Sequence, residues 1–125
     1  IMAKYNLPVV EKWNYSSIYS IRDGEQVVNS LKSEADRPDA ILCSNDLAAA
    51  GVLSEARRQG LNVPEDLAIV GFDDSELSRS LGITTILNPI EGQAENAFLL
   101  LAPALLRRSI ELQPLSFSLV KRETT

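Results

Sequence analysis

Asn45 and Asp73 are the side chains of this sequence best suited to hold a small molecule. Each follows a short apolar run, residues 40–43 and 67–72, and each has an acidic neighbour, Asp46 and Asp74. A carboxylate accepts hydrogen bonds from adjacent hydroxyls or ring N–H groups, and an amide both donates and accepts. In an open parallel sheet, ligands sit just beyond the carboxyl ends of the strands. Both residues fall there if the two runs are strands. Blander roles compete: Asn45 is also a good helix cap, and Asp73-Asp74 suits a solvated turn. Asp46, Asp73 and Asp74 together make a candidate acidic Mg²⁺ site. Against it, no phosphate-cradling glycine loop accompanies them and no lysine lies near Thr84-Thr85. The chain has no histidine, the commonest general base and metal ligand. No catalytic residue, metal or cofactor is expected.

The elements that must position these residues follow from patterning. Residues 40–43 read as a short buried strand. The next helix is capped by Ser44 or Asn45 and runs to about residue 59. Arg57 and Arg58 complement its negative end and Gly60 terminates it. Residues 67–72 and 84–87 are further strands. Upstream, Ser20 and Asp23 form a variant capping box. Ile21, Gly24, Val27, Val28 and Leu31 then follow at helical spacing, and Arg37-Pro38 closes the element. Pro8 and Val9-Val10 open an extended segment that reads as a strand to Trp13. Residues 91–106 are helical, with Pro103 breaking or kinking the helix. Residues 115–120 form a last strand, with Leu115, Phe117 and Leu119 alternating. Continuous apolar strands separated by helices specify an α/β fold with a mainly parallel sheet covered on both faces, a three-layer α/β/α arrangement.

Several side chains have structural roles in this reading. Asp46 and Asp74 stabilise helix or turn amides. Gly71 allows close backbone approach. Cys43 is a buried small hydrophobe. Trp13 and Tyr15 are packing aromatics, and Arg22 is an exposed helix arginine.

The 125 residues are 45% hydrophobic and 23% charged, as in an ordinary globular domain. Net charge is −5 and pI about 4.7, a balance that repels phosphate backbones and disfavours nucleic-acid contact by this segment. No apolar run approaches the roughly 18 residues of a membrane span. The first residue is not Met, and residues 1–6 read like the tail of a helix, so a longer protein is expected. Two helices are too apolar for one buried face: residues 47–53 read LAAAGVL and residues 97–106 read AFLLLAPALL. Each must bury more than one side, in a core or at an interface.

Residues 38–77, PDAILCSNDLAAAGVLSEARRQGLNVPEDLAIVGFDDSEL, resemble the effector-binding core of the LacI/GalR family of bacterial transcription regulators. ITT at residues 83–85, LVKRETT at 119–125 and YSIRDG at 19–24 extend the likeness over nearly the whole chain. The resemblance implies a periplasmic-binding-protein-like subdomain with four ligand-facing residues. These are Tyr19, an aromatic against the effector, then Asn45, Asp73 and Asn88. Leu81-Gly82 stands where the family usually has a proline pair, and that loop is shorter. The chain would be a partial effector domain, mostly its carboxyl-terminal subdomain. Residues 91–106 would pack with an amino-terminal subdomain not in the sequence, and the isolated chain would pair or aggregate. The whole protein would be a cytoplasmic homodimer that reads operator DNA through a domain outside this chain. An effector of sugar or purine class would bridge two subdomains, with a coupling of about 1–3 kcal/mol. The alternative is a periplasmic sugar-binding protein feeding a transporter.

Overall fold

Ser20 opens the first helix with a reciprocal cap. Its hydroxyl accepts from the Asp23 N–H at 3.2 Å, and its own N–H donates to the Asp23 carboxylate at 2.8 Å. The computed structural model describes residues 2–106 and 111–125. Helix α1 (Ile21–Leu31) buries Gly24, Val27, Val28 and Leu31 and ends short of Arg37-Pro38. It packs against α2 (Asp46–Arg58), which Asn45 caps through the Ala48 N–H at 2.8 Å. The two helices meet backbone to backbone. A Cβ on Gly24 would strike the Ala48 carbonyl, and one on Gly51 would strike that of Ile21.

Three strands run parallel: β1 (Ala40–Leu42), β2 (Ala68–Asp73) and β3 (Thr84–Leu87). β4 (Ser118–Val120) lies antiparallel to β3, and the order is β1-β2-β3-β4. Helix α2 covers Ile69 and Gly71 of β2, where a Cβ on Gly71 would collide with Asp46. Val28, Leu53, Leu67, Ile69 and Ile83 fill the core, each contributing about 1.5–3 kcal/mol through burial. The register places Leu42, Phe72, Ile86 and Leu119 on the opposite face. That face is open in part, with Leu42 70% exposed. The carboxyl terminus laces two strands together: the Thr124 hydroxyl donates to the Ile69 carbonyl and accepts from the Thr84 N–H.

Four expectations need correcting. Residues 9–13 form no strand; Glu11–Trp13 is a 3-10 turn and Val9 and Val10 are exposed. Among the described residues no neighbouring strand takes up their backbone groups, and an extended segment without one is not stable. A helix that the strand–helix pattern did not anticipate, α3 (Glu76–Leu81), is capped by Ser75 and ended by Gly82 at φ 69°. Pro103 does not break α4 (Ile90–Leu106). Finally, the last strand is only three residues long, and Leu115 and Phe117 lie outside it.

Candidate functional site

Parallel register gathers the candidate residues along one edge of the sheet. Leu42 pairs with Val70 and Asp73 with Leu87, so Asn45, Asp73 and Asn88 all leave at the strands' carboxyl ends. Asp73 and Asn88 meet directly: the Asn88 amide N–H donates to Asp73 Oδ1 at 3.1 Å. They line a cavity of about 400 Å³ with Asp74, Arg79, Leu87 and Pro89.

The chain bends sharply at this point. Asp73 has φ 112° and Asp74 φ 55°, a left-handed conformation that costs an L residue on the order of 1–3 kcal/mol. Neighbouring groups hold the bend. Asp46, almost fully buried, accepts from the Ser75 N–H at 2.7 Å and the Thr85 hydroxyl at 2.6 Å. Asp74 accepts from Arg122 on one oxygen and from Arg79 on the other. Burial pushes the Asp74 carboxyl up, but Arg122 and Arg79 outweigh it and hold the group below its ordinary value. Strain of this kind persists only where surrounding structure over-determines it, and it concentrates at functional sites.

Asn45 and Tyr19 form a second pair beside β1. The Asn45 amide donates to the Tyr19 carbonyl at 3.0 Å while its oxygen caps α2. Asn45 therefore serves as the helix cap, and among the described residues one of its two N–H groups has a hydrogen-bond partner. Tyr19 is 63% exposed. It borders a different cavity, about 740 Å³, lined also by Trp13, Ile41, Cys43 and Phe72. The four candidates thus form two pairs on one sheet edge rather than one tight cluster. Cys43 is buried there; burial, reinforced by the Asp46 charge, pushes its thiol up to about 12, which leaves it protonated and inert. Trp13 is half-buried, whereas Tyr15 is exposed and its hydroxyl meets that of Ser30.

The acidic Mg²⁺ arrangement does not form. Asp46 is occupied by Ser75 and Thr85, and Asp74 by two arginines. Among the described residues no three His, Cys, Asp or Glu groups are placed to hold a metal ion. Pattern reasoning missed Arg122 and Gln93. Arg122 reaches Asp74 from 48 residues away and is legible only as part of LVKRETT. Gln93 donates to the Asn88 carbonyl oxygen at 2.6 Å, and no motif marks it.

Residues 1–125 match the model of the periplasmic binding protein-like domain family. The NTD biosynthesis operon regulator NtdR of Bacillus subtilis is 38% identical over 97 residues, which are 76% of this chain and 30% of that protein. The HTH-type transcriptional repressor PurR of Yersinia pestis is 33% identical over 98 residues, 77% of this chain and 29% of PurR. A crystal structure of a LacI regulator from Lactobacillus casei with bound Tris aligns at a TM-score of 0.89 and 29% identity, over 99% of this chain and 45% of that one. The chain spans less than half the length of each of these relatives. In sequence and in shape, the chain belongs to the periplasmic binding protein-like domain family, as part of an effector-binding domain of the LacI/GalR type.

Proposed function

We propose that this chain forms one wall of the effector pocket of a bacterial transcription regulator, and that the effector is a polyhydroxylated molecule of the sugar class. The observation that carries this reading is the Asp73–Asn88 pair, set in a strained, braced turn at the sheet edge. Asp73 offers acceptors and Asn88 a donor beside them, a match for neighbouring hydroxyls. A ligand lacking one hydroxyl would leave a polar group unpaired, at about 1–3 kcal/mol. Tyr19 and Asn45 would extend the contact along the same edge. The Lactobacillus casei regulator has been crystallised with Tris, sucrose and glucose, all of which carry several hydroxyls. Purines fit an aromatic and two amides less fully, since they offer fewer adjacent donors.

In this reading a second lobe closes over the ligand, and the ligand favours the closed arrangement by about 1–3 kcal/mol. Helix α4 packs within that other lobe, and two copies pair in the cytoplasm. DNA is read by a domain outside this chain, consistent with a net charge of −5 here. A transporter-linked periplasmic role is disfavoured, because NtdR and PurR are regulators.

The test is a thermal-shift comparison with glucose, sucrose and hypoxanthine. Asp73→Asn suits it, because asparagine tolerates positive φ and removes only the charge and an acceptor. One sugar should raise the wild-type Tm by about 2–5 °C at saturation. The substitution should abolish that rise and leave the unliganded Tm within about 2 °C. An undiminished rise in the variant would move the site elsewhere.

A further inference from the structure

We propose that Gln93, on the first turn of α4, is a positioning residue that holds the ligand-reading amide of Asn88 in the orientation Asp73 selects. The proposal rests on the effector-site reading above and adds a residue to it. Gln93 Nε2 donates to Asn88 Oδ1 at 2.6 Å, and Asn88 Nδ2 donates to Asp73 Oδ1 at 3.1 Å. The three groups form a directed chain, amide to amide to carboxylate.

The direction follows from the end of the chain. An ionised carboxylate only accepts, so Asn88 must face Asp73 with its nitrogen. Its oxygen then faces Gln93, and Gln93 must present its own nitrogen. Reversing Asn88 would set two oxygens together at Asp73 and would break the present bond from Gln93, which would have to turn its own amide to restore it. With Gln93 in place, Asn88 is held in one orientation before any ligand arrives, and its second N–H is left for that ligand. Pre-ordering of this kind removes part of the entropy cost of binding.

Gln93 is also anchored to the same turn. Its backbone N–H donates to the Pro89 carbonyl at 2.9 Å, and the Ile90 N–H donates to the Asn88 carbonyl at 2.8 Å. The side-chain relay and the backbone of the first α4 turn are therefore one rigid unit. A ligand that pulls on Asn88 pulls on the start of α4, whose Phe98 and Leu101 are exposed. This gives the sheet-edge site a direct line to an exposed apolar helix surface.

Two substitutions separate positioning from mere packing. Gln93→Met keeps length and removes the donor. Gln93→Glu keeps shape and inverts the end group, so it draws the Asn88 nitrogen away from Asp73. The primary readout is hydrogen exchange of the Asn88 side-chain amide by NMR on the whole chain without ligand. Exchange should accelerate about tenfold in Gln93→Met, the loss of one net hydrogen bond. The Asn88 nitrogen and proton shifts should move in opposite senses in the two variants. Unchanged exchange in both variants, at unaltered Tm, would overturn the proposal. The second readout is glucose affinity, expected to fall about tenfold in Gln93→Glu and less in Gln93→Met. Equal affinity in all three proteins would overturn it too. If wild type ignores glucose, that choice of effector fails, while amide exchange still decides the role of Gln93.

Discussion

Helices α2 and α4 carry similar apolar runs, LAAAGVL and AFLLLAP, yet they end in different surroundings. In α2, Ala48, Ala49, Val52 and Leu53 are each no more than 1% exposed, and Gly51 lies against the backbone of α1. In α4, Phe98, Leu100 and Leu101 are each 64% exposed or more. Hydrophobicity states how much surface a helix needs to bury; it does not name the partner. What α2 has, and the exposed Phe98, Leu100 and Leu101 of α4 lack among the described residues, is a complementary neighbour. Gly24 of α1 and Gly51 of α2 let two backbones touch, and small alanines fit against β2. The bulky side chains of α4 offer no such flat surface, so they suit a surface supplied by another lobe or another copy.

The largest effect tests the buried half of the comparison. A methyl on Gly51 would overlap the Ile21 carbonyl, and backbone on both sides cannot yield as a flexible side chain would. Gly51→Ala should cost about 3 kcal/mol, the upper range for overpacking, or prevent folding. Urea unfolding measures it. A loss below about 0.5 kcal/mol, the range of surface changes, would mean that the α1–α2 contact is looser than described.

The buried half was also the more legible one. Ser20 with Asp23, Asn45 before α2, and Gly60 after it each have a local physical signature, and the helices begin and end close to those marks. The apolar runs of β2 and β3 identified themselves because both faces of a central strand exclude charge. Residues 9–13 failed for a non-local reason: their β-branched residues suit a strand, but no strand lies beside them among the described residues. The candidate site was half legible. Asp73 and Asn45 follow from strand ends, and Tyr19 and Asn88 came from family resemblance. Gln93 and Arg122 act on partners reached only through the fold, by a helix turn in one case and by the chain terminus in the other. Neither has a spacing that a sequence pattern records.

A smaller effect tests the exposed half. If the α4 surface seeks a partner, the isolated chain should self-associate at micromolar concentrations. Leu101→Glu puts a charge in the middle of that surface, and charged groups are depleted from interface cores. Sedimentation velocity should find association weakened about tenfold or more. Monomer stability should change by less than about 0.5 kcal/mol, because Leu101 contributes little to the fold of this chain. A wild type that is monodisperse and monomeric would remove the need for a covering surface on α4.

The smallest effect sharpens the contrast from the α2 side. Glu55 is buried on α2, yet its carboxyl is held down at about 2 by Arg58, with help from Gln59. Asp74 is likewise held low, its two arginines outweighing burial. For both groups the folded state binds its last proton at lower pH than the unfolded chain does. Their stabilisation is therefore complete above the ordinary carboxyl values and is lost as pH falls through them towards 2. The urea midpoint of the wild type should decline steadily between pH 5 and pH 2.5, a window set by those shifts. Glu55→Gln should start from a lower midpoint at pH 7 and decline less steeply, since it cannot lose what protonation removes. Parallel pH profiles for the two proteins would mean that the Glu55–Arg58 pair, despite its short 2.6 Å contact, adds nothing to the buried face of α2. In that case packing at Gly51 and the alanines would alone distinguish α2 from α4.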